Sequence, residues 1–333
     1  MQIFHNLDEL PADFGPTVVT AGNFDGVHLA HQGVLKALTA RARELHARSV
    51  VLTFEPHPMR ILRPDAAPPL LTPLATKLRL LQRFAPDAII VMPFTRDLSL
   101  TSPRDFAGHI LAKRLRAREV HEGFNFRYGH RAQGDVAALH QFGREFGFTV
   151  VEYPEMRIRG DAVSSTRIRE LLRQGRVTRA YRLLGGAFSV TAPPGRGRGY
   201  GHKYTVPTIN LARYDDLVPQ DGVYITCTRV GQPHGAADAE QFESVTNIGT
   251  RPTFGAESFA IETHLLNFHP IEVTAETEVE IAFLYRLRGE IKFPSVEALR
   301  EQIARDVKRA RHYFRRTETK RSKRRRGGTE RGD

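Results

Sequence analysis

The sequence predicts an α/β domain with a parallel sheet, followed by a small antiparallel β-barrel domain with a C-terminal helix. Three observations support this fold class. Short β-branched apolar runs alternate with helical patterns in the first half, period-two alternation replaces them after about residue 185, and a long amphipathic pattern closes the second half. At 333 residues, the chain is long enough for two domains that each bury a core.

Apolar runs in the first half predict the strands of the parallel sheet. They are TVVTAG (17–22), SVVLTF (49–54), AIIVMPF (88–94), REVHEG (118–123) and FTVVEY (148–153). Because the runs are apolar throughout and helical patterns separate them, we expect helices on both faces of the sheet. In such folds, ligands bind beyond the carboxyl ends of the strands.

The helices between these runs are indicated by spacing and by caps. One face of the first helix is expected to carry four apolar residues, Leu35, Leu38, Ala42 and Leu45. Two later helices have a capping residue followed by proline, at Thr72–Pro73 and at Ser102–Pro103. We therefore expect these helices to begin at the two prolines.

The second half alternates apolar and polar residues, which predicts an antiparallel sheet or small barrel. The runs are GVYITCTRV (222–230), FAIETHLLNF (259–268) and TEVEIAFLYRL (277–287), and the helix SVEALREQIARDVKRARHYF (295–314) follows them. One face of that helix carries Val296, Leu299, Ile303, Val307 and Ala310. The sequence thus predicts domains at 1–185 and 186–314, with a basic disordered tail at 315–333.

Most of the net charge of +12 lies in the tail. Residues 307–333 contain twelve Lys or Arg against three acids, a net +9, which leaves +3 for the rest of the chain. Such a run is most often a solvated, disordered end, and weak contact with RNA or anionic surfaces is the minority interpretation. No oligomeric state is indicated.

The location of the protein is predicted from its cysteine content and its N-terminal sequence. One cysteine, Cys227, excludes an intramolecular disulfide and fits a reducing cytoplasm. The N-terminal sequence has no secretory signal pattern, and no apolar run is long enough to span a bilayer. We expect a cytoplasmic protein without membrane contact.

The stretch GNFDGVHLAH, from Gly22, follows the first predicted strand. Gly22 and Gly26 permit a tight turn, and the next helix offers its N-terminal amides to an anion. His28 and His31, three residues apart at that helix start, could both donate hydrogen bonds to a phosphoryl group. Either histidine alone would more often cap or pack locally, but the combination favours a phosphate-handling site.

GNFDGVHLAHQ resembles the HxGH signature of the nucleotidyltransferase superfamily, in the wording of the bacterial bifunctional riboflavin kinase/FAD synthetase family. TFEPHP (53–58), EGFNFRYGHRAQGD (122–135) and VSSTRIRELLRQG (163–175) follow in family order. The last is similar to an ISSTxIR element that meets ATP phosphates. The resemblance implies a Rossmann-like nucleotidyltransferase domain in which FMN phosphate attacks the α-phosphorus of ATP, giving FAD and pyrophosphate. Ala30 departs from the usual glycine.

The resemblance also assigns roles to residues of the first domain. His28 and His31 would be catalytic, and Asn125 would lie near the flavin. Nucleotide-binding residues would be Gly22, Asn23, Phe24, Asp25 and Gly26 in the first stretch and Ser164, Ser165, Thr166 and Arg167 in the last.

The second half extends the resemblance to a riboflavin kinase module. VPTINL (206–211) is similar to an element that holds Mg²⁺ and ATP phosphates, and Thr208 and Asn210 offer hard oxygen ligands. Glu262 stands at the position of the general base for the riboflavin 5′-hydroxyl, which then attacks the γ-phosphorus of ATP. The run GRGRGYGHKYTVPTIN (195–210) departs from the family pattern, although its glycines still allow a phosphate loop.

Two other functions stay open at this level. A nucleotidyltransferase with a different phosphorylated acceptor would share the histidines, but its single-purpose relatives lack the second module. A nucleic-acid-binding protein would use the barrel and the basic tail. Against that function, the body has little surplus charge, there is no tryptophan, and aromatic residues do not interleave with the basic run.

Overall fold

The computed structural model describes residues 1–195, 208–212, 214–231, 239–253, 256–269 and 277–326. The chain forms two compact units. The first contains Met1–Ile168 and Leu183–Gly185, and the second contains Arg169–Arg182 and the chain from Gly186 onward. Most of the predicted phosphate loop, residues 196–207, lies outside the described residues.

The first unit is an α/β layer structure. Its elements are β1 (Gln2–Phe4), β2 (Thr17–Ala21), α1 (Leu29–Glu44), β3 (Arg48–Glu55), α2 (Pro58–Leu62), α3 (Leu74–Gln82), β4 (Ala88–Pro93), α4 (Arg96–Ser99), α5 (Pro103–Asp105), β5 (Ala117–Gly123), α6 (Val136–Phe146), β6 (Thr149–Tyr153), β7 (Arg157–Ile158) and β8 (Asp161–Ala162). A π-helical segment, Phe106–Arg114, continues α5. Helices α7 (Ser165–Arg173) and α8 (Val177–Leu184) follow β8.

The sheet of the first unit confirms the predicted parallel strands. All its pairings are parallel, in the order β1-β4-β3-β2-β5-β6. Neighbouring residues of one strand pack into different cores: Val19 and Val50 belong to one hydrophobic cluster, and Val18 and Val51 belong to another. Both faces of the sheet are therefore covered, which explains why these strands are apolar throughout.

The two predicted caps have different outcomes. Ser102 caps α5, because its hydroxyl accepts a hydrogen bond from the Asp105 amide at 3.0 Å. The Thr72 cap is wrong: α3 begins at Leu74 and has no side-chain cap bond. The Thr72 hydroxyl instead accepts from the Gly26 amide at 2.9 Å, so a tertiary contact takes the place of the local one.

The second unit contains an antiparallel sheet and a long helix, as predicted. Its elements are β9 (Phe188–Ala192), β10 (Thr208–Asn210), β11 (Gly222–Gly231), β12 (Glu240–Thr253), β13 (Ala256–Leu265), β14 (Glu278–Arg288) and α9 (Val296–Arg326). The strand order is β10-β13-β12-β11-β14-β9. The chain after β9 meets β10, because Gly195 donates to the Asn210 carbonyl at 2.7 Å, and this contact closes the sheet into a barrel.

Five hydroxyl side chains form a ring inside this barrel. Their oxygens are bonded in the cycle Thr226–Ser244–Thr228–Thr263–Thr246–Thr226, at distances from 2.7 to 3.1 Å, and all five residues are fully buried. A hydroxyl has one proton to donate, so a closed cycle lets each member donate once and accept once. The barrel thus buries five polar groups that satisfy one another.

Helix α9 is attached to the outer face of the barrel by a core and a buried ion pair. Ala310 is fully buried against Val223, Ile225 and neighbouring apolar side chains. Arg288 Nε donates to Asp306 Oδ2 at 2.9 Å, and Asp306 is 2% exposed. The helix continues to Arg326, beyond the predicted end at 314, because Arg, Lys and Glu are favourable helix formers.

No helix in the described ranges is both long and apolar enough to cross a bilayer.

Candidate active sites

In the first unit, the predicted site residues lie at the carboxyl edge of the sheet, where β2 and β5 are neighbours. The chain leaves β2 toward β3 on one side, while β5 lies on the other. Loops diverge at such a switch point and leave a crevice that binds ligands. The stretch from Gly22 to His28 follows β2, and the stretch with Asn125 follows β5, so both border this crevice.

The loop after β2 has a strained backbone that the core holds in place. Phe24, Gly26 and Val27 have φ angles of 48°, 86° and 38°. Phe24 and Val27 are 3% and 2% exposed and pack in the hydrophobic cluster beneath α1. A Cβ at Gly26 would lie 2.8 Å from Leu71 Cδ1, so this position requires glycine for both conformation and space. The Phe24 ring thus belongs to the core, while Asn23 is exposed.

The Asp25 side chain holds a neighbouring segment. Its Oδ1 accepts hydrogen bonds from the amides of Leu71 at 3.0 Å and Thr72 at 2.9 Å, and the residue is 4% exposed. The Lys77 ammonium is also buried here and donates to the Phe54 carbonyl at 3.3 Å. Burial lowers the pKa of Lys77, and nearby carboxylates, Asp25 among them, oppose that shift.

His28 is the N-cap of α1. Its Nδ1 accepts a hydrogen bond from the His31 amide at 3.4 Å, and the two imidazole rings stack with centroids 3.6 Å apart. Because Nδ1 is an acceptor, we assign the proton of neutral His28 to Nε2. His31 Nδ1 is buried and has no hydrogen-bond partner among the described residues. Ala30 lies in the first turn of α1.

Both histidines are neutral at pH 7. Burial lowers the pKa of His28 from 6.5 to about 4. Burial also lowers the pKa of His31 well below its usual value, and repulsion from His28 adds to that shift. A neutral imidazole that keeps its Nε2 proton can donate it in a hydrogen bond to a phosphoryl oxygen. A bound triphosphate would raise both pKa values, since negative charge favours the imidazolium.

The Ser164–Arg167 stretch forms the start of α7, and the structure brings it to the loop after β2. The Ser164 hydroxyl accepts from the Arg167 amide at 3.2 Å, and the Ser165 hydroxyl donates to the Asp25 carbonyl at 2.7 Å. Arg167 forms an ion pair with Asp161, with Nη2 and Oδ1 2.8 Å apart. Thr166 is exposed. Two helix N-termini, those of α1 and α7, thus begin beside one loop, and both favour anions.

The loop after β5 exposes an aromatic ring next to Asn125. The Phe126 amide donates to the Gly123 carbonyl at 2.9 Å, which makes Phe124 and Asn125 the central residues of a tight turn. Phe124 is 46% exposed, and Asn125 is also exposed. Glu122 fixes the base of this turn, because its Oε1 accepts from the Ala21 amide at the end of β2.

In the second unit, the strand register brings the predicted kinase residues together. Asn210 on β10 lies opposite Glu262 on β13, and Thr208 lies opposite His264. Residues opposite each other in an antiparallel pair project from the same face, about 4.5–5.5 Å apart. The predicted alternation is confirmed, since Ile261, Thr263 and Leu265 are buried while Glu262 and His264 are partly exposed.

Sequence reasoning missed two residues beside these sites. Asn247 on β12 lies opposite Glu262, on the side away from Asn210, so Glu262 stands between two amides. Lys77 is buried beneath the first site. A signal existed for Lys77, which occupies the apolar stripe of α3, three residues after Leu74 and four before Leu81. The position of Asn247 depends on the pairing of β12 with β13, which local sequence does not reveal.

Comparison with known families divides the chain into two matched segments. Residues 10–167 match the model of the FAD synthetase family, and residues 184–314 match the model of the riboflavin kinase family. The two matches cover the two constellations described above.

Full-length relatives carry both activities in their names. The chain is 31% identical to the bifunctional riboflavin kinase/FMN adenylyltransferase of Escherichia coli K12, over 93% of this chain and 96% of the relative. It is 32% identical to that of Haemophilus influenzae, over 94% and 99%, and 33% identical to that of Pseudomonas fluorescens, over 93% and 97%. A crystal structure described as a macrolide-efflux protein from Streptococcus pneumoniae is similar with a TM-score of 0.79 at 26% identity, over 93% of this chain and 98% of that one.

Proposed function

The chain belongs to the family of bifunctional riboflavin kinase/FMN adenylyltransferases, and we propose which of its residues perform each reaction. The enzyme phosphorylates riboflavin to FMN with ATP and then transfers an adenylyl group from a second ATP to FMN, which gives FAD and pyrophosphate. We assign adenylyl transfer to the crevice between β2 and β5, and phosphorylation to the face of the barrel that carries Glu262. The single cysteine fits a cytoplasmic enzyme.

The adenylyl-transfer site acts by positioning and by donating hydrogen bonds. An FMN phosphate oxygen attacks the α-phosphorus, and the bond to the β-phosphate oxygen breaks to release pyrophosphate. The Nε2 proton of His28 and the ring N–H of His31 stabilise the negative charge that develops on the phosphoryl oxygens, together with the amides at the starts of α1 and α7. Asn125 and Phe124 orient the flavin from the turn after β5.

At the kinase site, a carboxylate takes the proton and two neighbouring residues would hold a metal. Glu262 accepts the proton of the riboflavin 5′-hydroxyl as that oxygen attacks the γ-phosphorus of ATP. Thr208 and Asn210 fit Mg²⁺, because both offer hard oxygen donors beside Glu262 and Mg²⁺ commonly takes few protein ligands together with substrate phosphates. Bound there, Mg²⁺ would neutralise phosphate charge. No cluster of three His, Cys, Asp or Glu side chains in the described ranges offers a different metal site.

The observation that supports this division most directly is the placement of the two sets of residues. The histidine pair lies in the first unit, and Glu262 lies on the barrel of the second. A product assay that resolves FMN from FAD tests the assignment, with purified protein, ATP, Mg²⁺ and riboflavin or FMN as acceptor. We expect His28→Ala and His31→Ala to abolish FAD while FMN still forms.

Glu262→Gln should give the opposite result. FMN formation should be lost, while FAD should still form when FMN is supplied. Controls are His109→Ala, an exposed histidine of the first unit, and Glu280→Gln, a carboxylate on β14 of the same barrel, which should leave both products unchanged. If both products fell together in every site variant, the two sites would not be independent and the assignment would be wrong.

A further inference from the structure

A cationic groove with an aromatic floor lies between the barrel and the middle of α9. Its volume is about 640 Å³. Ile225, Leu287 and Tyr285 of β11 and β14 line one side, and α9 lines the other with residues between Lys308 and Thr317. Neither reaction assigned above uses this groove.

The electrostatics of the groove favour an anionic ligand. Lys308, Arg309, His312, Arg315 and Arg316 line it, and no carboxylate is present among its described lining residues. Within the described part of the chain, no ion pair involves Lys308, Arg309 or Arg316.

Two tyrosines in the groove place aromatic rings beside the basic residues. Tyr285 comes from β14 and Tyr313 from α9, and their ring centroids are 6.2 Å apart. Tyr285 is 43% exposed, so part of its side chain is accessible to a ligand. Cations that follow a backbone and aromatic rings that stack bases are the two features that bind single-stranded nucleic acids. The tertiary structure therefore removes the objection that no aromatic residue interleaves with the basic segment.

The length of the charged surface favours a polymer over a mononucleotide. The lining cations of α9 run from Lys308 to Arg316, and over these residues the helix rises about 12 Å, which exceeds the length of one nucleotide. We propose that this groove binds single-stranded nucleic acid.

A lipid surface is a poorer match to this part of the helix. A helix that lies in a membrane interface buries its apolar face in the bilayer. In α9, Val307, Ala310, Tyr313 and Phe314 already pack against the barrel. The remaining surface beside Tyr285 is concave, which suits a chain that lies along it.

Anisotropy of a labelled oligouridylate, titrated with the full-length protein, tests the proposal. An oligomer of about 12 nucleotides is within the site sizes of single-strand binders. Binding should weaken as salt rises from about 50 to 200 mM. The Arg309→Gln/Arg316→Gln double variant should reduce the slope of log K against log salt by about 1.4, at about 0.7 per phosphate contact. The control Arg300→Gln/Arg305→Gln removes two cations of the same helix that do not line the groove, and it should leave the slope unchanged.

The aromatic floor is tested separately. Tyr285→Ala should weaken binding about tenfold at every salt concentration, and Tyr285→Phe should bind like wild type, because a base stacks on either ring. Circular dichroism confirms that each variant is folded. Absence of saturable binding at low salt, equal losses in the two double variants, or equal effects of the two Tyr285 variants would overturn the proposal. The proposal would also be overturned if UMP displaced the labelled oligouridylate at an equal concentration of nucleotides. Binding to phosphatidylserine vesicles without binding to the oligonucleotide would overturn it as well.

Discussion

Replacement of Thr263 by valine should destabilise the second unit through the hydroxyl ring. Thr263 accepts from Thr246 at 2.9 Å and is bonded to Thr228 at 3.1 Å, and all three residues are fully buried. Valine keeps the shape but leaves one unsatisfied bond on each neighbour. At about 1–2 kcal/mol for each such group, the variant should lose about 2–4 kcal/mol of unfolding free energy.

The closed ring makes a sharper prediction for a double variant. Thr246→Val alone also leaves two neighbours with an unsatisfied bond, Thr226 and Thr263. The adjacent double variant Thr246→Val/Thr263→Val again leaves only two, Thr226 and Thr228. The double variant should therefore cost about as much as either single variant, whereas independent contributions would add.

The assay is urea unfolding followed by pulse labelling of Cys227, the single cysteine of the chain, which lies on β11. Cys227 is only partly buried in the folded protein, so labelling at each urea concentration is compared with labelling without urea. The difference reports the transition of the second unit, which matters because two units need not unfold together. The control is Thr191→Val, since the Thr191 hydroxyl is buried without a partner among the described residues and its loss should change stability by less than about 0.5 kcal/mol. Additive costs in the double variant, or a Thr263→Val cost no larger than that of Thr191→Val, would refute the ring.

Further predictions concern the first unit. The folded pKa of His28, about 4, lies below its unfolded value of 6.5, so its stabilising effect is complete above pH 6.5 and is lost as the pH falls toward 4. Acid unfolding of His28→Gln, followed by circular dichroism, should thus begin at lower pH than in wild type, and an unchanged midpoint would contradict the assigned burial. Phe124→Ala should raise KM for FMN about fivefold or more in FAD synthesis, and Phe124→Tyr should not, because ring stacking contributes about 1 kcal/mol or more; equal KM values would exclude a flavin contact. Asp25→Ala leaves two amides without their acceptor and should slow FAD synthesis while FMN formation is retained, whereas the exposed Asp65→Ala should alter neither product.

Much of the fold was predictable because the signals are local. A strand that is buried on both faces must be apolar throughout, so the runs around Val18 and Val50 could be predicted as strands of the parallel sheet. Alternation on β13 likewise placed Glu262 and His264 on one face before any pairing was known. The start of α1 was predictable from its glycines, and local capping was one alternative for either histidine, but the pattern did not show that His28 is the one that caps.

The remaining features depend on partners that are distant in sequence. The Thr72–Pro73 pattern is that of a helix cap, but Gly26 and Asp25 engage the hydroxyl from the loop after β2. The Phe24 ring packs in the core and against His31, a placement that the family stretch did not reveal, and its nucleotide contact stays a prediction. Tyr285 gave no sequence signal near the basic run, because 28 residues separate it from Tyr313. Sequence patterns report periodicity and burial, whereas these roles arise from which elements meet.

The loop between β2 and α1 has a consequence for how nucleotide recognition is distributed between enthalpy and entropy. Left-handed conformations at Phe24 and Val27 cost on the order of 1–3 kcal/mol each. Packing of the core offsets this strain, so the loop has its strained conformation without substrate. At the proposed adenylyl-transfer site, ATP would therefore meet a loop that is already ordered and would lose little affinity to loop ordering. For binding at this site, calorimetry should record a heat-capacity change that reflects only the surface covered by the ligand, without a contribution from coupled folding.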